Sequence, residues 1–201
     1  VQGNGEKQLV SRRSLLGIAS IGFIGLISKT AEAQDLVGWG QMSLGWARPR
    51  LVLSRSLSLR HRHTDETLDV VYYENGRYIG GALKEISYLL RDFRNDEVKP
   101  IDRQLLDLLY ALRLKLETKR PFEVYSAYRS PQTNAMLRRE GVGVARNSMH
   151  MYGKAIDISV PGVDNRYLAR AAWTMQRGGV GSYRRSSFVH VDVGEVRSWY
   201  S

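Results

Sequence analysis

Three residues of this chain have the types and the placing to share one metal ion. His150 and Asp157 are separated by six residues, and His190 lies in a later run where apolar and polar residues alternate. In Lys154 to Val160, Ile156, Ile158 and Val160 fall on one side of an extended strand and Ala155, Asp157 and Ser159 on the other. In Phe188 to Val193 the valines again share a side, which leaves His190 and Asp192 on the opposite one. If the two strands are neighbours, Asp157 and His190 converge. Gly153 would then let the preceding turn bring His150 over them. Two imidazoles and one carboxylate leave a fourth position open, the ligand pattern of a catalytic zinc rather than a closed structural one. Spacing alone also fits histidines satisfied elsewhere and an aspartate that is merely an exposed strand residue.

The elements that must position these residues follow from the pattern. Leu68 to Tyr73 and Tyr78-Ile79 read as two strands around Asn75-Gly76, a hairpin signal. Leu83, Ile86, Leu90 and Phe93 recur at helical spacing and predict a helix over 81–93. Asp102 can cap a second helix with Leu105, Leu106, Leu109, Leu112 and Leu116 on its core face. Phe122 to Ala127 reads as a strand. Ser130-Pro131 then reads as a cap with proline at the first helical position, opening a helix to about Arg139. Asp164 can cap a helix through Leu168, Ala171, Ala172 and Met175 that Gly178 ends. Helices mixed with hairpin-connected strands predict an α+β domain.

The residues around the candidate ligands carry a resemblance. Ser148-x-His150-x-x-Gly153-x-Ala155-x-Asp157 resembles the metal-binding signature of the zinc D-Ala-D-Ala metallopeptidase and hedgehog-fold group. Ser126-Ala127-Tyr128-Arg129-Ser130 looks like that group's Ser-Gly-Tyr-Arg-Ser segment, with Ala127 in place of glycine. The run from Gly178 through Val189-His190-Val191-Asp192-x-Gly194 to Arg197-x-Trp199 is similar to the murein endopeptidase K branch. The resemblance covers about Leu57 to Trp199. It implies an antiparallel sheet carrying a zinc site and flanked by helices, and a zinc metallopeptidase that cuts peptide cross-links in peptidoglycan. Its partners would be the murein stem peptides. By the same resemblance His150, Asp157 and His190 are the zinc ligands, Arg129 contacts the substrate or the developing oxyanion, and Ser148 lies near a substrate carboxylate. Structural readings stand beside these roles: an ion pair for Arg129, and a turn residue bonding its own backbone for Ser148. D-amino-acid carboxypeptidases or dipeptidases and non-catalytic zinc modules use the same scaffold and remain the alternatives.

One position departs from the pattern. Several relatives carry an acidic general base three residues before the last zinc histidine, where this chain has Ser187. Asp192, on the same strand side as His190, is the best substitute base, or else a partner that orients His190. His61 and His63 form a further pair with no third ligand nearby and read as solvated surface.

The N-terminal segment reads as an export signal. Arg12-Arg13 precede an apolar stretch from Leu15 to Ile27, and Ala31-Glu32-Ala33 is a small-x-small cleavage site. The stretch is shorter than the roughly 20 residues that span a bilayer. The expected organisation is a twin-arginine signal peptide over 1–33, an irregular lead-in over 34–56 and the peptidase domain over 57–201. The mature protein is expected in the periplasm or outside the cell after Tat export, as a monomer without a membrane span. The absence of cysteine excludes a disulfide scaffold, a thiolate zinc site, a cysteine nucleophile and a lipoprotein anchor. The net charge of +10 falls to +8 without residues 1–33, which remove four cations and two acids. A basic protein is drawn to polyanions. No nucleic-acid motif or basic stripe interleaved with aromatics is present, so a nucleic-acid partner is not expected.

Overall fold

The computed structural model describes residues 54–200 apart from 142, 184 and 185. The export segment and most of the lead-in lie outside the described residues. Eight strands form one sheet: β1 (Arg55–His61), β2 (Thr67–Glu74), β3 (Arg77–Tyr78), β4 (Phe122–Ser126), β5 (Ala155–Ser159), β6 (Gly179–Ser182), β7 (Val189–Asp192) and β8 (Arg197–Tyr200). Four helices accompany it: α1 (Gly80–Leu89), α2 (Arg103–Lys115), α3 (Pro131–Arg139) and α4 (Asn165–Trp173).

The α+β class is as expected, but the sheet is mixed rather than antiparallel. Its order is β3-β2-β1-β4-β5-β7-β6-β8. The central strands β4, β5, β7 and β6 are antiparallel neighbours, whereas β1 pairs β4, and β6 pairs β8, in parallel. Both parallel pairings have a topological cause. Helices α1 and α2 lie between the β2–β3 hairpin and β4, a crossover long enough to bring the chain back in the same direction. Between β6 and β8 the chain reverses twice, so β8 comes to lie parallel on the far side of β6.

Local signals explain most elements. Asn75 and Gly76 have φ of 50° and 83°, the paired left-handed residues that a tight hairpin needs. Asp102, Ser130 and Asp164 accept hydrogen bonds from the N–H groups of Gln104, Thr133 and Arg166 and so cap α2, α3 and α4. Leucines 105, 106, 109 and 112 of α2 are fully buried. They pack in one core with Leu57 and Leu59 of β1, Ile156 and Ile158 of β5, and Val189 and Val191 of β7.

Helix α1 ends at Leu89, short of the expected Phe93. The chain breaks away because the buried Asp92 carboxylate accepts from the N–H groups of Arg94 and Ser130, a tertiary bond that competes with the helix. Helix α4 stops at Trp173, and Gln176 (φ 52°) reverses the chain before Gly178. Among the described residues no helix is long and apolar enough to cross a membrane.

Candidate metal centre

The sheet brings two of the three expected ligands face to face. Asp157 of β5 is the direct cross-strand partner of His190 of β7. On the same strands Ile156 pairs Val191, and Ile158 pairs Val189. These apolar pairs are fully buried in the core. The period of two therefore sends the carboxylate and the imidazole to the opposite side. In β4 the register shifts between Val124 and Ser126, a bulge that lets Tyr125 and Ser126 both line the cleft above the site.

His150 arrives on a single 3-10 turn, Met149–Tyr152. Ser148 caps the turn by accepting from the His150 N–H at 3.4 Å, which is the turn role foreseen for it. Gly153 ends the turn with φ 64°, and a Cβ there would stand 2.7 Å from the Pro100 carbonyl oxygen, so no other residue fits without displacement. The turn is then bolted to the end of β4. The Arg129 N–H donates to the His150 carbonyl at 3.2 Å, and the His150 Nδ1–H donates to the Ala127 carbonyl at 2.6 Å.

Three atoms converge as a result. His150 Nε2 lies 3.2 Å from His190 Nδ1 and 3.4 Å from Asp157 Oδ1, and His190 Nδ1 lies 2.9 Å from that oxygen. The edge of a tetrahedron with ligands about 2.0–2.1 Å from its centre is about 3.3 Å. The outer ring nitrogens both have acceptors of their own. His150 Nδ1 gives its proton to Ala127, and His190 Nε2 gives its proton to Asp192 Oδ2 at 3.1 Å. His150 Nε2 thus presents a lone pair toward Asp157, and His190 Nδ1 faces the same oxygen at hydrogen-bond distance. These three ligand atoms, all nearly buried, lie close enough together to hold a metal ion once His190 Nδ1 gives up its proton, and the set is compatible with zinc. Burial alone would raise the Asp157 pKa, but His150 and His190 beside it hold the carboxyl well below the usual range. Burial pulls His150 down. It also opposes protonation of His190, but hydrogen bonds and charge from Asp157 and Asp192 outweigh it and raise that pKa.

Asp192 sits on the expected side of β7 but is fully buried and does not line the cleft. Its carboxylate accepts from His190, from the N–H groups of Gly179 and Gly194 at 3.0 and 2.8 Å, and from Arg197 at 2.7 Å. Those donors occupy the lone-pair sites that a carboxylate offers. Burial would raise its pKa, and these four partners hold it well below the usual range. Ser187 is exposed, and Asp157 is the one carboxylate among the described residues lining the cleft.

Arg129 is 7% exposed and borders the same cleft of about 700 Å³. Among the described residues it has no carboxylate within ion-pair distance. Nη1 reaches Asn134 at 3.4 Å, Nη2 reaches Ser126 at 3.5 Å, and Nε donates to nothing. Burial lowers its pKa from the ordinary arginine value. The foreseen ion pair is thus absent among the described residues.

The sequence reading misplaced His61. It is fully buried, and its Nδ1 accepts from the N–H groups of His63 and Thr64 at 3.3 Å, tying the β1–β2 turn. His63 is exposed and stacks on Phe93. Two site neighbours were visible only as part of a motif. Trp199 lies 5.2 Å from His190, centroid to centroid, in space left by Gly181, where a Cβ would meet the indole at 2.5 Å. Arg197 pairs with Asp192. The Ala127 carbonyl gave no sequence signal, because every residue has one.

Comparison with known proteins agrees with this geometry. The family model described as peptidoglycan L,D-endopeptidase MepK matches residues 51–199. A peptidoglycan L,D-endopeptidase MepK from Escherichia coli (strain K12) is 35% identical over 194 residues, 96% of this chain and 100% of that protein. A probable peptidoglycan L,D-endopeptidase MepK from Haemophilus influenzae is 39% identical over 146 residues, 72% of this chain and 78% of that protein.

Proposed function

We propose that this chain, a murein endopeptidase belonging to the peptidoglycan L,D-endopeptidase MepK family, works as a zinc peptidase whose ligands are His150, Asp157 and His190. The convergence of His150 Nε2, His190 Nδ1 and Asp157 Oδ1, with both outer ring protons already committed, carries this reading. Zinc, when bound there, would supply Lewis acidity, polarising a carbonyl and making a water acidic near neutral pH.

The chain's own residues do the rest. Arg129 offers a guanidinium with an unbonded Nε at the cleft, suited to a scissile carbonyl oxygen as negative charge develops on it. Asp192 acts as a positioning residue. It holds the His190 ring by Nε2, and Arg197 and the two glycine N–H groups hold Asp192 in turn. Ser148 acts through the turn that presents His150. Export under the twin-arginine signal would bring the enzyme to its substrate.

The test is digestion of purified peptidoglycan. The protein should release cross-link fragments, a chelator should stop the release, and zinc should restore it. Undiminished release under exhaustive chelation would refute the zinc reading. Release of terminal amino acids alone would replace the endopeptidase with a carboxypeptidase.

A further inference from the structure

The cleft has a second set of polar side chains outside the metal cluster. His63, on the β1–β2 turn, and Arg94, on the loop after α1, both line it. The Phe93 ring joins them: it stacks with His63 at 4.2 Å and 10°, and the Arg94 guanidinium lies 4.2 Å from its centroid.

The loop that carries Phe93 and Arg94 is built to hold still. The buried Asp92 carboxylate accepts from the Arg94 N–H at 3.2 Å and from the Ser130 N–H at 2.9 Å. One carboxylate thereby fixes the backbone of Arg94 against the residue that follows Arg129. Asn95 donates to the Ser130 hydroxyl at 3.0 Å, and Tyr128 donates to Glu97. Burial opposes the charge on Asp92, but hydrogen bonds from Thr133, Ser130 and Arg94 hold its pKa below the ordinary value.

The charges of this wall are unbalanced. Arg91, at the start of the loop, is neutralised by Glu66 and Asp96. Arg94 and Arg129 have no carboxylate within ion-pair distance among the described residues, although the more distant charges of Asp157 and Asp92 act on Arg129 together with that of Arg94. The single carboxylate among the described residues lining the cleft, Asp157, belongs to the candidate metal cluster. A guanidinium that is 93% buried, with an unbonded Nε and with Arg94 on the wall of the same cleft, leaves donors for an acidic group of a ligand.

We propose that Arg94, on the same cleft wall as Arg129 and with His63 held in place by Phe93, provides a subsite for a carboxylate of the murein stem peptide. This rests on the murein endopeptidase reading. It adds to that reading a recognised group and a loop assigned to specificity.

Binding tests it without turnover. The zinc-loaded protein is titrated calorimetrically with an uncross-linked stem peptide, as the free acid and fully amidated. The free acid should bind on the order of tenfold tighter, as charge-assisted hydrogen bonds imply. Arg94→Gln should bring the ratio toward one, and Arg94→Lys should retain part of it. Arg94 is exposed, so the melting temperature should hold. Peptides amidated only at the C-terminus, or only on side branches, will tell which carboxylate is held. Equal affinities in the wild type, or an undiminished ratio in Arg94→Gln, would overturn the subsite. Cleavage of a cross-linked dimer is scored separately. Discrimination without cleavage would keep the subsite and defeat the endopeptidase reading, and cleavage without discrimination would do the reverse.

Discussion

Asp192 and Arg129 show how differently two buried charges can be used. Asp192 is saturated with donors and cut off from the cleft, whereas Arg129 borders the cleft and is nearly bare of partners. Asp192→Asn should therefore weaken zinc binding, by about 10- to 100-fold, and excess zinc should restore turnover. Metal titration alongside activity checks this; a variant that is zinc-replete yet a hundredfold slower would make Asp192 the base instead. Arg129→Ala should lower turnover by about two to three orders of magnitude while zinc content stays the same. Its melting temperature should hold or rise, since an unpaired buried charge is removed. A sharp fall in melting temperature would mark Arg129 as structural. At this scale the three converging side chains were legible because alternation and turn chemistry are local. The roles of Ala127 and the burial of His61 were not, because a carbonyl has no side-chain signature and a turn histidine looks the same exposed or buried.

At the scale of elements, capping residues announced themselves. Asp102, Ser130 and Asp164 each precede a helical apolar stripe, and each caps in the structure. Strands β1, β6 and β8 escaped the reading. β6 is half glycine, and β8 lies at the sheet edge with little burial to impose alternation. Neither parallel pairing could be read locally, because both depend on where distant chain returns. The β1–β2 turn carries a prediction of its own. His61 accepts two N–H groups at Nδ1, so a proton there would break both bonds, and burial lowers its pKa to about 4. The unfolded chain takes up that proton near pH 6.5, so stability is full above that value and is lost as pH falls toward 4. The loss is up to about 3 kcal/mol. His61→Gln cannot titrate, so its stability deficit against wild type should shrink between pH 7.5 and 4.5 in urea melts. Parallel curves would show that His61 contributes nothing to acid sensitivity.

The whole molecule joins a basic, cysteine-free chain to a cleft whose unpaired charges are cationic. Such a protein suits an anionic polymer outside the cytoplasm. Arg12-Arg13 and Ala31-Glu32-Ala33 lead us to expect cleavage after Ala33, so N-terminal sequencing of the exported protein should begin at Gln34. A mature protein retaining residues 1–33 in the cytoplasm would exclude export. The central claim, that the sheet and one turn aim three specific atoms at a zinc ion, is tested most directly by anomalous scattering at the zinc edge from crystals grown with the metal. The predicted result is one peak per chain about 2.0–2.2 Å from His150 Nε2, His190 Nδ1 and Asp157 Oδ1. No peak at full zinc loading, or a peak on His190 Nε2 in place of Asp192, would contradict it.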